Sequence, residues 1–141
     1  MKVYYNLFVL ISAFLFFSCE EESNSLEDCN LESRICTEEF RSVELEIVDD
    51  NGEYVELDNF YTFFDSRKKF EFSRNTFQQE NGLYPVITDA ELKELNQEGS
   101  VLVFVGEIEG KNVIEHQMLI GHDCCHVELI QGETKLILKN L

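Results

Sequence analysis

Ser42-Val43-Glu44-Leu45-Glu46-Ile47-Val48, followed by Asp49-Asp50-Asn51-Gly52, is the stretch that decides the predicted fold. It lies within a strand predicted over 40–48, in which the apolar side chains of Val43, Leu45 and Ile47 alternate with polar ones. This period of two is typical of an antiparallel strand with one buried face. Asn and Gly tolerate positive φ, so the polar residues that follow predict a tight turn.

The rest of the chain repeats this pattern of short apolar runs separated by turn residues. Thr88-Asp89-Ala90-Glu91 has the spacing of a capping box and predicts one short helix that carries Leu92 and Leu95 on one face and stops near Gly99. Pro85 predicts an edge position or a strand start. The pattern indicates an all-β antiparallel sandwich of seven or eight strands with at most one short helix. Further strands are expected at 54–57, 60–64, 70–72, 84–88, 101–108, 113–120, 122–130 and 134–138.

The amino-terminal end has the features of an export signal. Lys2 precedes an apolar run over 3–17, which is shorter than the ~20 residues of a membrane span but suits a signal peptide. The run ends in Ser18-Cys19, which resembles the lipobox of bacterial lipoproteins. The resemblance implies that 1–18 is a signal peptide and that Cys19 is linked to diacylglycerol and acylated, which anchors the chain to a membrane.

Glu20, Glu21 and Glu22 follow the cysteine directly. This acidic cluster resembles the export signal of Bacteroidota surface lipoproteins. The resemblance implies a lipid-anchored protein of the outer membrane, displayed at the cell surface of a Gram-negative bacterium. The alternative is an ordinary solvated tether, because charge runs are common in such segments. Residues 19–28 are expected to form that tether, and 29–141 a single domain.

Two resemblances concern the domain itself. Residues 47–55 resemble the opening hairpin of carboxypeptidase-regulatory-like, transthyretin-related sandwiches, which implies an Ig-like or transthyretin-like β-sandwich. Residues 36–43 and 123–130 are similar to small Bacteroidota lipoproteins of unassigned function. These resemblances imply a location and a fold, and they imply no activity.

The charge balance narrows the range of partners. Eleven Lys and Arg residues against 28 Asp and Glu residues give a net charge of −17. Such a chain repels nucleic-acid phosphates and anionic membrane surfaces. No nucleic-acid partner is therefore expected, whereas a protein or glycan partner is compatible with the composition.

Four cysteines lie beyond Cys19, namely Cys29, Cys36, Cys124 and Cys125. An even number of cysteines in an exported domain predicts disulfides. Four cysteines allow three connectivities, and a bridge between the adjacent Cys124 and Cys125 would need a strained ring. The pattern favours two bridges that join the 29–36 segment to the adjacent pair, and it leaves open which cysteine pairs with which.

His122-Asp123-Cys124-Cys125-His126 is a dense group of potential ligands. In the strand predicted over 122–130, His122, Cys124 and His126 would share one face, and Cys125 would face the core. A His-Cys-His set is a candidate site for zinc or copper. A Cys–His nucleophile pair is disfavoured because the acidic surroundings raise the pKa of a thiol.

The remaining candidates are weaker. Asp49 to Glu53 offers oxygen ligands for calcium but lacks the full binding loop, so a turn is expected. Of the adjacent Phe63 and Phe64, one is expected to face outward and to mark a partner surface, together with other aromatic residues of this region (Tyr54, Phe60 and Tyr61).

The sequence predicts a binding or accessory module that is not an enzyme and uses no cofactor. The alternatives are a metal-binding envelope protein and a purely structural subunit.

Overall fold

The computed structural model describes residue 29 and residues 35–64, 68–72 and 82–139. The expected signal peptide, lipidation site and tether lie outside these residues, as do both flanks of Cys29. None of the helices in the described ranges is long and apolar enough to cross a membrane.

The described chain forms two packed β-sheets and one 3₁₀ helix, Asp89–Glu94. One sheet has three strands in the order β4-β1-β8, and the other has five in the order β3-β2-β5-β6-β7. The predicted all-β sandwich is therefore confirmed, with eight strands in the described part of the chain. They are β1 (Ser42–Asp49), β2 (Asn59–Phe64), β3 (Lys68–Glu71), β4 (Leu83–Thr88), β5 (Ser100–Ile108), β6 (Lys111–His122), β7 (Val127–Gln131) and β8 (Lys135–Leu138).

Strand β1 is the central strand of the smaller sheet, and it buries the face that its sequence pattern predicted. Val43, Leu45 and Ile47 are 7%, 0% and 0% exposed, whereas Glu44 faces solvent. The aromatic rings of Phe60 and Phe104 reach the same core from the larger sheet. The core is a single apolar layer between the two sheets, as expected for a sandwich.

One strand pair departs from the predicted antiparallel arrangement. Strand β8 pairs with β1 in parallel, with Glu46 opposite Lys135 and Asp49 opposite Leu138. Parallel pairing is possible because the two strands are separated by most of the chain and are not joined by a hairpin. The chain passes from β7 in the larger sheet to β8 in the smaller one through Gly132, whose φ of 137° only glycine adopts readily.

The strand predicted at 54–57 is not formed. Tyr54 makes an isolated bridge to Val48, and the Val55 N–H donates to the Ile47 carbonyl. Beyond that point the hydroxyl of Tyr84 donates to the Val55 carbonyl (2.6 Å) and accepts from the Leu57 N–H (2.9 Å). The Tyr84 hydroxyl thus replaces the backbone hydrogen bonds of a strand pair where the segment crosses between the sheets.

The proline, turn and helix-capping residues lie largely where the sequence predicted them. Pro85 lies in the edge strand β4, and Glu109 and Gly110 form the tight β5–β6 turn with φ values of 50° and 71°. Lys68 and Lys69, expected in a loop, belong to β3. The capping box is present, since Glu91 accepts from the Thr88 N–H and hydroxyl, and it starts the 3₁₀ helix.

The sandwich has two distinct ends. We call the end formed by residues 36–41, 88–99 and 122–127 the disulfide end, and the end formed by the 49–53 and 109–112 turns the hairpin end. Strands β1 and β7 start at the disulfide end, and β6 finishes there. Every candidate ligand of the His122–His126 group lies at this end.

Candidate functional site

Residues 123–126 form a turn, so the strand predicted over 122–130 is wrong in its first part. Strand β6 ends at His122 and β7 begins at Val127, which pairs with His122. The Asp123 carboxylate accepts from the N–H groups of Cys125 (2.9 Å) and His126 (2.7 Å). These two hydrogen bonds lower the pKa of Asp123. The turn lacks Gly, Pro and Asn, and Asp123 is its only sequence signal.

Two disulfides join the 29–36 segment to this turn. Cys29 is bonded to Cys124 and Cys36 to Cys125, with a Cα–Cα distance of 5.4 Å in each pair. The predicted linkage between the early segment and the adjacent pair is therefore confirmed, and the pairing that was left open is now defined. The expected burial of Cys125 is wrong. Cys124 is the buried member (4% exposed) and Cys125 is half-buried, because a turn does not alternate its side chains as a strand does.

His122 is buried beneath the turn and uses both ring nitrogens. Its Nε2 lies 3.2 Å from the Leu95 carbonyl oxygen, and its Nδ1 accepts from the Cys124 N–H at 3.1 Å. A carbonyl can only accept, so Nε2 carries the proton in the neutral ring. The ring fixes Cys124 at a φ of 76°, a left-handed conformation that is uncommon outside glycine. His122 is thus a structural residue of the turn.

The predicted metal ligands are only partly brought together. Ligand atoms of Cys29, His122 and Cys124 lie within 4.8 Å of one another, but His126 does not belong to this group. The predicted common face of His122, Cys124 and His126 required a continuous strand, which the turn replaces. In the oxidised protein both sulfurs are bonded to each other, so neither is a thiolate available to a metal or to a nucleophilic mechanism.

His126 joins the helix to the segment that precedes β1. Its Nδ1 lies 2.8 Å from Asp89 Oδ2, and its Nε2 lies 2.9 Å from the Thr37 hydroxyl oxygen. The ring is 6% exposed. The order hydroxyl, imidazole, carboxylate also occurs in hydrolase triads. Here the imidazole and the carboxylate tie together the helix, the 123–126 turn and the segment before β1.

Asp89 accepts two further hydrogen bonds, from the N–H groups of Arg41 and Val127, each at 2.8 Å. Burial raises the pKa of this carboxyl, but the bonds from His126, Arg41 and Val127 outweigh it, and the net pKa lies below the ordinary value of 3.8. Sequence reasoning did not identify Asp89 or Thr37 as site residues. The position of Asp89 in the first helical turn was the available signal, since carboxylates are favoured there.

A cleft of about 580 Å³ opens beside the two disulfides at the disulfide end. Its apolar wall consists of both bridges and the side chains of Ala90, Leu92 and Leu95. Its polar groups belong to Asp89, Lys93, Gln97 and His122. This volume lies within the ~300–1,000 Å³ usual for small-molecule and cofactor sites.

The other predicted candidates lie away from the cleft. Phe60 is buried (2% exposed) and Phe64 packs against the core. Tyr61 and Phe63 lie on the other face of the larger sheet with ring centroids 5.2 Å apart, but Tyr61 is buried too (8% exposed) and Phe63 is half-buried. Phe63 is therefore the outward-facing member of the adjacent pair. Tyr54 is 55% exposed at the hairpin end.

In the Asp49 turn, backbone N–H groups donate hydrogen bonds to the Asp49 carboxylate. Oδ1 of Asp49 accepts from the N–H groups of Glu53 and Asn51, both at 2.8 Å. The bond from Glu53 is the main cause that lowers the pKa of Asp49. This geometry supports the predicted turn, because Oδ1 of Asp49, one of the candidate calcium ligands, already accepts two backbone hydrogen bonds.

Comparison of the chain with protein-family models, with curated proteins and with solved structures gave no match.

Proposed function

We propose that this chain is a lipid-anchored protein of the outer-membrane surface that binds a partner through the cleft at its disulfide end and catalyses no reaction. The observation that carries the proposal is the pair of disulfides that fastens the start of the domain beside that cleft. The sequence resemblances support assignment to the small Bacteroidota surface lipoproteins and to a transthyretin-like sandwich.

The disulfides support an exported location. Stable disulfides persist in oxidising compartments and are rare where glutathione and thioredoxin keep thiols reduced. All four described cysteines are paired. This agrees with the signal peptide and the Ser18-Cys19 lipobox expected from the sequence.

The tether length brings the cleft close to the proposed anchor. Cys29 lies ten residues after Cys19 in the sequence, and an extended chain spans at most about 3.3–3.6 Å per residue, or roughly 35 Å. Cys29 is bonded to the wall of the cleft. A lipid at Cys19 would therefore keep the cleft within that distance of the membrane.

The chemistry of the cleft favours a protein segment over a glycan. Its described lining consists mainly of sulfur and aliphatic carbon and includes no Phe, Tyr or Trp ring on which a sugar could stack, and the His122 ring is already held by Leu95 and Cys124. Apolar surface of this kind suits an apolar side chain of a partner protein. A purely structural spacer would not need such a cleft.

Site-specific photo-cross-linking tests the binding proposal. A photoreactive residue placed at Ala90, in the cleft wall, is expected to capture a discrete partner in intact envelopes. The same residue placed at Asn112, which is exposed at the hairpin end, is the matched control. Capture from Asn112 alone would move the site to the other end, and capture from neither position would favour a spacer.

The anchor is tested separately. In the variant Cys19→Ala, the thiol that would carry diacylglycerol is absent, so the protein is expected to lose its acyl chains and to leave the membrane fraction. Metabolic labelling with a clickable fatty acid, followed by fractionation, measures both effects. Persistent acylation of the variant would contradict the proposed anchor.

A metal site is the second candidate, because ligand atoms of Cys29, His122 and Cys124 lie within 4.8 Å of one another. It requires that the Cys29–Cys124 bridge be reduced and that His122 Nδ1 release the Cys124 N–H. Zinc titration after mild reduction, with unreduced protein as the control, tests it. Equal zinc binding before and after reduction would exclude this dithiol site.

A further inference from the structure

Two of the polar groups that line the cleft are already satisfied by the protein. The Asp89 carboxylate accepts three hydrogen bonds, from His126 and from the N–H groups of Arg41 and Val127. Its ion pair is with His126 and not with Lys93, although both Asp89 and Lys93 line the cleft. The His122 ring is held between Leu95 and Cys124. Neither group needs a ligand to complete its hydrogen bonding.

The other two polar side chains of the cleft, those of Lys93 and Gln97, are hydrogen-bond donors without such partners. Lys93 has no ion-pair partner among the described residues, and the Gln97 amide nitrogen has no hydrogen-bond partner among them. The Gln97 carbonyl oxygen lies 3.7 Å from Cys29 Sγ, but a disulfide sulfur has no proton to donate. Both side chains are exposed to solvent at the cleft.

The carboxylates next to Lys93 along the helix are engaged elsewhere. Glu91 accepts from Thr88, and Glu94 forms an ion pair with Lys68 at 2.6 Å. Distant acidic residues of the −17 chain are screened beyond about 8 Å at physiological salt. An ammonium group without a described counterion therefore stands beside an apolar wall.

We infer that the cleft binds a carboxylate that is attached to an apolar group, with the carboxylate at Lys93 and Gln97 and the apolar group against Leu92, Leu95 and the disulfides. This inference rests on the proposed binding function and names the chemistry of the ligand. A peptide that ends in an apolar residue and a free aliphatic acid both carry these groups. Binding combines a charge-assisted hydrogen bond to the carboxylate with burial of the apolar group.

Calorimetric titration of the full mature protein in zwitterionic lipid nanodiscs tests the inference with two matched probe pairs. The first pair is an acetylated tripeptide ending in leucine with a free carboxylate, and its carboxamide. The second pair is hexanoate and hexan-1-ol. In at least one pair, the acid is expected to bind about tenfold more tightly than its neutral counterpart, because a hydrogen bond to a charged group contributes about that factor or more.

Two exposed lysines give matched variants. Lys93→Gln is expected to lower the affinity for the acid to that for its neutral counterpart and to leave the affinity for the neutral probe unchanged. Lys111→Gln, at the hairpin end, is expected to change neither. Preferential binding of the peptide acid would identify a peptide carboxy terminus as the source of the ligand, and preferential binding of hexanoate would identify a free acid.

Equal affinity for acid and neutral probes, or an unchanged affinity in Lys93→Gln, would overturn the inference. Absence of binding by all four probes would overturn it as well. In each case, cross-linking from Ala90 would still report whether the cleft binds a partner, so failure of the ligand chemistry is distinguishable from failure of the proposed function.

Discussion

Asp89 is the residue on which the hydrogen bonds of the disulfide end converge. Its carboxylate ties together the segment before β1 through Arg41, the 123–126 turn through His126, and the start of β7 through Val127. The Asp89 N–H also donates to the Arg41 carbonyl at 3.0 Å. The side chain is 12% exposed, so these bonds are shielded from water and contribute more than surface contacts do.

We expect Asp89→Asn to lower the free energy of unfolding by roughly 1.5–3 kcal/mol at pH 7, because hydrogen bonds to a charged group are replaced. The folded-state pKa of Asp89 is lowered, so its ionisation stabilises the fold fully above the ordinary value of 3.8 and progressively less as the pH falls below it. The difference between the wild type and the variant should therefore shrink at pH 3.

Urea unfolding of both proteins at pH 7 and pH 3 measures this difference. Glu128→Gln is the control, because Glu128 is exposed on β7 and its replacement is expected to change stability by less than about 0.5 kcal/mol. A difference between wild type and Asp89→Asn that is equally large at both pH values would contradict a charge-dependent role.

At the level of secondary-structure elements, the 54–57 segment is held by the hydroxyl of Tyr84 and not by backbone hydrogen bonds to a neighbouring strand. Tyr84 is 1% exposed, and its hydroxyl contacts the backbone at Val55 and Leu57. Tyr84→Phe keeps the ring in the core and removes both bonds. We expect a loss of roughly 1–3 kcal/mol, since buried backbone groups lose a partner.

Thermal and urea unfolding measure this loss, with Tyr54→Phe as the control. Tyr54 is 55% exposed, so its hydroxyl is replaceable by water, and the control is expected to be nearly neutral. If Tyr84→Phe were as stable as Tyr54→Phe, the segment would not depend on the Tyr84 hydroxyl.

The sequence predicts best those elements whose apolar residues alternate over a whole strand. Strand β1 was predicted from such alternation, strands β5 and β6 from short apolar runs separated by turn residues, and the helix from its capping box. The 54–57 segment has the composition of a strand, but its partner is a hydroxyl 27 and 29 residues away in the sequence. No local pattern carries that information.

The candidate site was predictable only in part for the same reason. The compartment and the cysteine spacing predicted that the 29–36 segment joins the Cys124–Cys125 pair. The pairing order depends on a turn whose only signal is Asp123. The cleft is assembled from segments far apart in the chain, so neither Lys93 nor Asp89 stands out in the sequence as a site residue.

At the scale of the whole molecule, the two disulfides tie the beginning of the domain to a turn near its end. Their sequence separations are 95 and 89 residues. Bridges that close long loops restrict the unfolded chain strongly, so each contributes on the order of 2–4 kcal/mol. The cleft depends on both bridges, because they form part of its wall.

We expect the double variant Cys36→Ser/Cys125→Ser to lose roughly 2–5 kcal/mol, the range usual for removal of a native disulfide from a small domain. The variant retains the Cys29–Cys124 bridge, so the measurement reports the loss of one disulfide and not the reduction of both. Thermal unfolding without reductant measures it. An unchanged melting temperature would show that this bridge does not stabilise the folded domain.

Intact-mass spectrometry of the protein, extracted from its native membrane without reductant, tests the lipid anchor and both disulfides in one experiment. We expect a chain that begins at Cys19, carries acyl groups on that residue, and weighs four hydrogens less than the fully reduced form because Cys29–Cys124 and Cys36–Cys125 are closed. A chain that begins at Met1, without acyl groups and with free thiols at these four cysteines, would contradict it.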